Sequence, residues 1–174
     1  MSILRNWTVG ELGTISASVG ILAHYLAVNP ALQRQLRERP YLLPVAIDEI
    51  LRIHAPLIMN RRVAVKPVSM RARELAVGER IAIIWASANR DEAVFGDPDE
   101  FRLDRDPGLN LLYGAGIHVC PGAPLARLEL RIVMEELLKR THRITPIADK
   151  ATVNAHFPAS GFSSLPLWIQ KSPA

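Results

Sequence analysis

The chain has a single cysteine, Cys120, in the run Tyr113-Gly114-Ala115-Gly116-Ile117-His118-Val119-Cys120-Pro121-Gly122. Three glycines space this stretch. Glycine tolerates positive φ and lets backbone approach a flat ligand closely. The run ends where a helix is expected to begin, and a helix N-terminus stabilises a thiolate. Such a sulfur is a good soft ligand for iron. No Cys-x-x-Cys-His is present, so covalent haem attachment of the c type is not indicated. Residue type alone leaves two other readings open. A lone cysteine is commonly a small buried hydrophobe. His118 and Cys120 are also a candidate nucleophilic pair, although side chains two apart diverge on an extended loop.

Glu49 and Arg52 form a second pair of interest. At positions i and i+3 they share one helix face and can pair. Solvated pairs of this kind are common and contribute little.

These groups need elements to hold them. Thr8-Val9-Gly10-Glu11 fits a capping box, with Thr8 as N-cap. Leu12, Ile15, Val19, Leu22 and Leu26 then form one apolar helical face. Asn29-Pro30 ends that helix, and Pro30 opens a short one through Arg39. Pro44 starts a third, carrying Glu49 and Arg52, to about His54. Val63, Val65, Val68 and Met70 sit in short alternating runs. Turns are expected at Arg73-Glu74 and Gly78-Glu79, and a buried strand over residues 81–85. Residues 91–112 read as a long ordered loop, a kind of segment that is often functional. A helix follows from Pro124 to about Lys139, with apolar positions at Leu125, Leu128, Ile132 and Leu138. Short β-like pieces fill the tail. The expectation is one unit over residues 1–174, mainly α with small antiparallel β-sheets.

Composition sets outer limits. Among 174 residues, 49% are hydrophobic and 22% charged, the balance of a folded globular chain. Twenty-one basic against 17 acidic residues give +4. The arginines are scattered without aromatic interleaving, so no nucleic-acid partner is expected. No apolar run reaches the ~20 residues of a membrane span. The first residues lack the apolar core of a secretory signal, and one cysteine suits a reducing compartment, so a cytoplasmic location is expected.

Together the motifs resemble those of the cytochrome P450 family of haem-thiolate monooxygenases. That family's ligand loop is Phe-x-x-Gly-x-His/Arg-x-Cys-x-Gly, which positions 113 to 122 match with Tyr113 in place of Phe. Glu49 and Arg52 match its E-x-x-R pair. Ala88-Asn89-Arg90-Asp91, Gly122 to Arg127 and Gly161 to Leu167 resemble further segments of bacterial-type members. The resemblance implies the C-terminal portion of the P450 fold, with haem b as cofactor and Cys120 as the ligand to its iron. It implies that His118 and Arg62, with Arg61 as the adjacent candidate, meet the haem propionates. Tyr113, Gly114, Gly116 and Gly122 belong to the same cofactor loop. Glu49 and Arg52 would brace that loop from behind. The family often completes the pair with an arginine at the position of Glu100; Arg102 or Arg105 is the expected substitute.

On the oxygen side the family carries Gly-x-Asp/Glu-Thr. Gapless alignment from Glu49 places Thr14 at the threonine and Gly13 at the acid. Thr14 is then the residue to order water and donate to bound oxygen, with Glu11 as an alternative proton relay. The implied activity is insertion of one oxygen atom from O₂ into a small apolar organic substrate. A ferredoxin-type protein or a reductase would supply electrons. The sequence starts within the family's central helix, so the expectation is a chain lacking the N-terminal half. The competing expectation is a truncated, catalytically incompetent or partner-dependent relic.

Overall fold

The computed structural model describes residues 9–157 and 159–172. Thr8 and the Glu11 side chain lie outside the described residues. The described residues open with a π-helical turn, Val9–Thr14, that runs into α1 (Ile15–Val28). The Thr14 hydroxyl donates back to the Gly10 carbonyl at 2.6 Å, and Ser18 does the same to Thr14 at 2.7 Å. Hydroxyls bonding to backbone four residues back compete with the helical ladder and loosen it. Wide turns of this type occur frequently at functional sites.

Proline sets the next starts. Pro30 is the first residue of α2 (Pro30–Glu38), and Pro44 lies in the first turn of α3 (Leu43–His54). A missing N–H is harmless there, because those donors lack helical partners anyway. Four strands follow: β1 (Met59–Val63), β2 (Val68–Met70), β3 (Arg73–Leu75) and β4 (Arg80–Ile84). β1 pairs antiparallel with β4, and β2 with β3. Arg73-Glu74 is therefore strand rather than turn. The reversal falls at Arg71-Ala72, where Arg71 takes φ +53°. Trp85, expected to end a strand, instead opens α4 (Trp85–Ala88).

The stretch from 91 to 112 is less bare than expected. It holds α5 (Glu92–Phe95), capped by the Asp91 carboxylate accepting from the Ala93 N–H, and a 3₁₀ turn at Pro107–Leu109. The last helix is α6 (Ala123–Arg140). The tail folds as β5 (Thr141–Pro146) against β8 (Leu167–Lys171), and β6 (Val153–Asn154) against β7 (Phe162–Ser164).

The core forms where α1, α2, α3 and α6 meet. Leu22 and Leu26 of α1, Leu36 of α2, Ile47 and Ile50 of α3, and Leu130 and Met134 of α6 are buried together. Ile15 and Val19 pack against this cluster, while Leu12 stays exposed. On α6 Leu138 points inward, but Leu125, Leu128 and Ile132 face outward. Gly161 (φ +84°) lets the tail cross α1; a Cβ there would lie 3.3 Å from the Ala17 carbonyl oxygen.

One buried amide ties the layers. The Gln33 amide nitrogen donates to the Leu26 carbonyl at 3.0 Å and to the Ile144 carbonyl at 2.9 Å. Its oxygen accepts from the Ile144 N–H at 3.0 Å and from Arg37 at 3.0 Å. Gln33→Leu keeps volume but orphans the buried Ile144 backbone groups. It is expected to lower stability by roughly 2–4 kcal/mol in denaturant unfolding, the cost of leaving buried backbone groups unpaired.

Candidate functional site

The pair on α3 is buried: the side chains of Glu49 and Arg52 are 5% and 1% exposed. Arg52 grips the Glu49 carboxylate with two bonds, Nε to Oε2 at 2.7 Å and Nη2 to Oε1 at 2.9 Å. A fork meeting both oxygens is the strongest form of this contact. Arg105 adds Nε to Oε1 at 2.9 Å. Of the two candidates for third member, the structure selects Arg105. Arg102 instead turns its side chain outward to Asp97 and Asp104, and reaches Glu49 only through its backbone N–H at 3.2 Å. Asp97 accepts from Arg102 and from Arg105, and these bonds hold its carboxyl down at about 2. Phe95 lies beneath both buried guanidinium groups, 4.7 Å from Arg52 and 5.7 Å from Arg105.

The cluster reaches the loop before Cys120. Arg52 Nη1 donates to the Asn89 carbonyl at 2.6 Å, and Nη2 to the Pro98 carbonyl at 2.8 Å. Asn89 is buried, and its side-chain oxygen accepts the Leu111 N–H at 2.8 Å. Asn110 donates to the Asp48 carbonyl at 3.1 Å. Nothing in the sequence marks Asn110 as a bracing residue, and for Asn89 the signal is the Ala88-Asn89-Arg90-Asp91 segment around it.

The ligand loop begins at Tyr113. Gly114 takes φ +77°, a backbone conformation that favours glycine; a Cβ there would meet the His118 carbonyl at 3.6 Å and the Trp85 ring at 3.8 Å in ordinary contact. Trp85 is fixed in turn by its indole N–H donating to Asn60 at 2.7 Å. Gly116 opens a short 3₁₀ turn through His118. The Cys120 N–H closes the loop on the Tyr113 carbonyl at 2.9 Å. Gly122 lies beside the sulfur: a Cβ there would make ordinary contact with Sγ at 3.8 Å. Cys120 is exposed, which removes the buried-hydrophobe reading. His118 beside it is exposed as well. The thiol sits immediately before the 18-residue α6.

Arg61 and Arg62 are adjacent on β1, so they leave opposite faces of the strand. Arg62 shares its face with Asn60, the residue that holds Trp85 against the loop. That places Arg62, not Arg61, on the loop side. Thr14 is half-buried in the π-helical turn. An open thiol on a glycine-rich loop, the Arg62 guanidinium and the His118 imidazole form a donor set that fits a flat, anionic iron cofactor.

The sequence matches the family model for cytochrome P450 over residues 23–157. The chain belongs to the cytochrome P450 family. Membership of this family implies a haem cofactor. The chain is 43% identical over 129 residues to the steroid C26-monooxygenase of Mycolicibacterium smegmatis, covering 72% of this chain and 32% of that one. It is 39% identical over 128 residues to the mycinamicin IV hydroxylase/epoxidase of Micromonospora griseorubida, covering 72% and 32%. Among solved structures, CYP109E1 from Bacillus megaterium in complex with corticosterone superposes with a TM-score of 0.84 at 31% identity, covering 91% of this chain and 43% of that one. The P450 chain described here thus spans about a third of the length of these curated relatives. No single helix among the described residues is long and apolar enough to cross a membrane.

The geometry separates the two arginines near Glu49. Arg105→Ala leaves a buried carboxylate short of a partner, and breaking a buried pair costs about 3–5 kcal/mol. Arg102→Ala is expected to leave the urea midpoint almost where it was. Paired equilibrium unfolding curves check this ranking.

Proposed function

We propose that this chain carries the haem-thiolate side of a monooxygenase that inserts one oxygen atom from O₂ into an apolar organic substrate. The observation that carries the reading is the exposed thiol of the only cysteine, set on a glycine-rich loop at the head of α6 and backed by the buried Glu49–Arg52–Arg105 cluster. Haem b, when bound, supplies the oxygen-activating chemistry, and thiolate ligation favours O–O cleavage.

The chain's own groups take the remaining roles. Cys120 is the protein ligand to iron. The helix that starts behind it stabilises the sulfur's negative charge. Arg62 and His118 receive the two propionates, with Arg61 the second choice. Tyr113, Gly114, Gly116 and Gly122 shape the loop that lies along the cofactor. Thr14 would order water and donate a hydrogen bond on the oxygen side after its hydroxyl turns away from the Gly10 carbonyl, to which it now donates, in a turn already loosened from helical bonding. Glu11 would relay protons to that water, since Gly13 stands where the family has an acid.

The named activities of the relatives make bulky apolar molecules, steroids first, the substrate class to test. Electrons would come from a ferredoxin-type protein or a reductase. A reducing, cytoplasmic setting would keep the lone thiol free.

Two experiments address the thiolate. Haem-loaded chain, reduced under carbon monoxide, should give the red-shifted band of thiolate ligation, and Cys120→Ser should abolish it. A serine variant that keeps the band rules out Cys120 as ligand. Pro121, just after the sulfur, has no N–H to donate. Pro121→Leu restores a donor, withdraws electron density from sulfur, and should raise the iron reduction potential. Redox titration of both haem-loaded proteins checks the direction.

A further inference from the structure

Trp85 reaches two parts of the candidate site at once. Its indole N–H donates to Asn60 Oδ1 at 2.7 Å. An indole N–H is a donor only, so the Asn60 oxygen, and not its nitrogen, must face it. The same ring edge continues into Cζ2 and Cη2, which lie 3.9 and 3.8 Å from the place a Cβ on Gly114 would take. One flat side chain thus meets β1 with its nitrogen and borders the cysteine loop with its carbons. Its backbone is fastened as well. The Trp85 carbonyl accepts the Asn89 N–H at 2.9 Å, and the Ala86 N–H donates to the Ile58 carbonyl at 3.3 Å, just before β1.

The strand end of this linkage carries Arg62. Asn60 pairs with Ile83 and Arg62 with Ile81 across β1 and β4. Residues two apart on a strand share a face, so Asn60 and Arg62 leave β1 on the same side. Arg62 is half-buried there, while Arg61 on the other side is exposed. Neither segment is stiff by itself. β1 and β4 form a sheet of only two strands, which is marginal alone. The cysteine loop has one 3₁₀ turn and the Cys120 N–H bond to the Tyr113 carbonyl. The indole joins the two.

We propose that Trp85 is a positioning residue: its bond to Asn60 ties the strand that carries Arg62 to the glycine loop that carries Cys120, and so fixes the separation of those two groups. The strut exists without haem. Its use in holding a cofactor by propionate and iron together rests on the haem-thiolate reading.

The test compares Asn60→Leu, which removes the acceptor, with Asn60→Asp, which keeps it, and with Trp85→Phe, which keeps a ring and loses the donor. In the haem-free chain, nuclear magnetic resonance identifies the Trp85 indole proton as the one of three lost in Trp85→Phe. That proton should be protected from solvent in wild type and in Asn60→Asp, and exposed in Asn60→Leu. Exchange of the Cys120 amide should quicken roughly two- to tenfold in Asn60→Leu and in Trp85→Phe, the range of one hydrogen bond. Asn60→Asp should stay near wild type, and core amides of α1 and α6 should not change. Asn60→Leu should add nothing in the Trp85→Phe background. Should Asn60→Leu not fold, Trp85→Phe carries the same comparison. In haem-loaded protein, the thiolate-type carbon monoxide band should decay roughly two- to tenfold faster in Asn60→Leu and Trp85→Phe. Unchanged Cys120 exchange in both variants, an equal loss in Asn60→Asp, or a freely exchanging wild-type indole proton overturns the strut. So does a thiolate band that forms and decays at the wild-type rate in both. If the band never forms in the wild-type chain while the exchange pattern holds, the strut stands and the haem-thiolate reading fails.

Discussion

A carboxylate cannot be buried alone, and the architecture around Glu49 follows from that constraint. Removing its charge from water is worthwhile only where geometry is close to ideal and remaining lone pairs are filled. Arg52 and Arg105 supply that geometry, and the Arg102 backbone N–H adds a further bond. Each guanidinium has donors to spare, and these go to carbonyls at Phe95, Asp97, Pro98, Glu100 and Asn89. A segment with little regular structure is thereby fastened by main-chain acceptors to one helix. The rigidity of residues 89–105 comes from α3, not from a ladder of its own.

The same helix fixes the entry to the cysteine loop. Asn89 joins the two halves of the linkage: its carbonyl meets Arg52 and its side chain meets Leu111. Asp48, one residue before Glu49, holds Asn110 through its backbone and Arg127 through its carboxylate. Arg127 belongs to the first turns of α6, the helix that begins just after Cys120. Successive residues of α3 therefore serve the loop from both ends. In the family this region carries the haem ligand, and its placement must be reproducible to fractions of an ångström for chemistry at iron.

Much of this was legible in the sequence because the signals were local. Pro30 and Pro44 marked helix starts within a residue, and the i, i+3 spacing put Glu49 and Arg52 on one face. The run from Tyr113 to Gly122 identified the loop outright. Burial was not legible: a Glu-x-x-Arg spacing reads the same in solvent or in the core. The choice of Arg105 over Arg102 depends on a chain path fixed by tertiary contacts, and both residues looked equivalent on paper. The turn at Arg71-Ala72 is not legible because arginine at positive φ gives no compositional cue, unlike glycine. Trp85 ends the apolar run 81–85 that reads as strand, yet it opens a helix, with its indole bonded to Asn60. On α6 the apolar residues occupy two opposite sides, so periodicity could not say which side faces the core.

Amide hydrogen exchange on the haem-free chain, with and without Glu49→Gln, tests the dependence of the loop on the buried charge most directly. If Glu49 anchors the segment, the variant should lose protection across residues 89–120 at denaturant concentrations where α1 and α6 remain protected. Loss confined to α3, with the loop amides exchanging as in the wild type, would contradict the account.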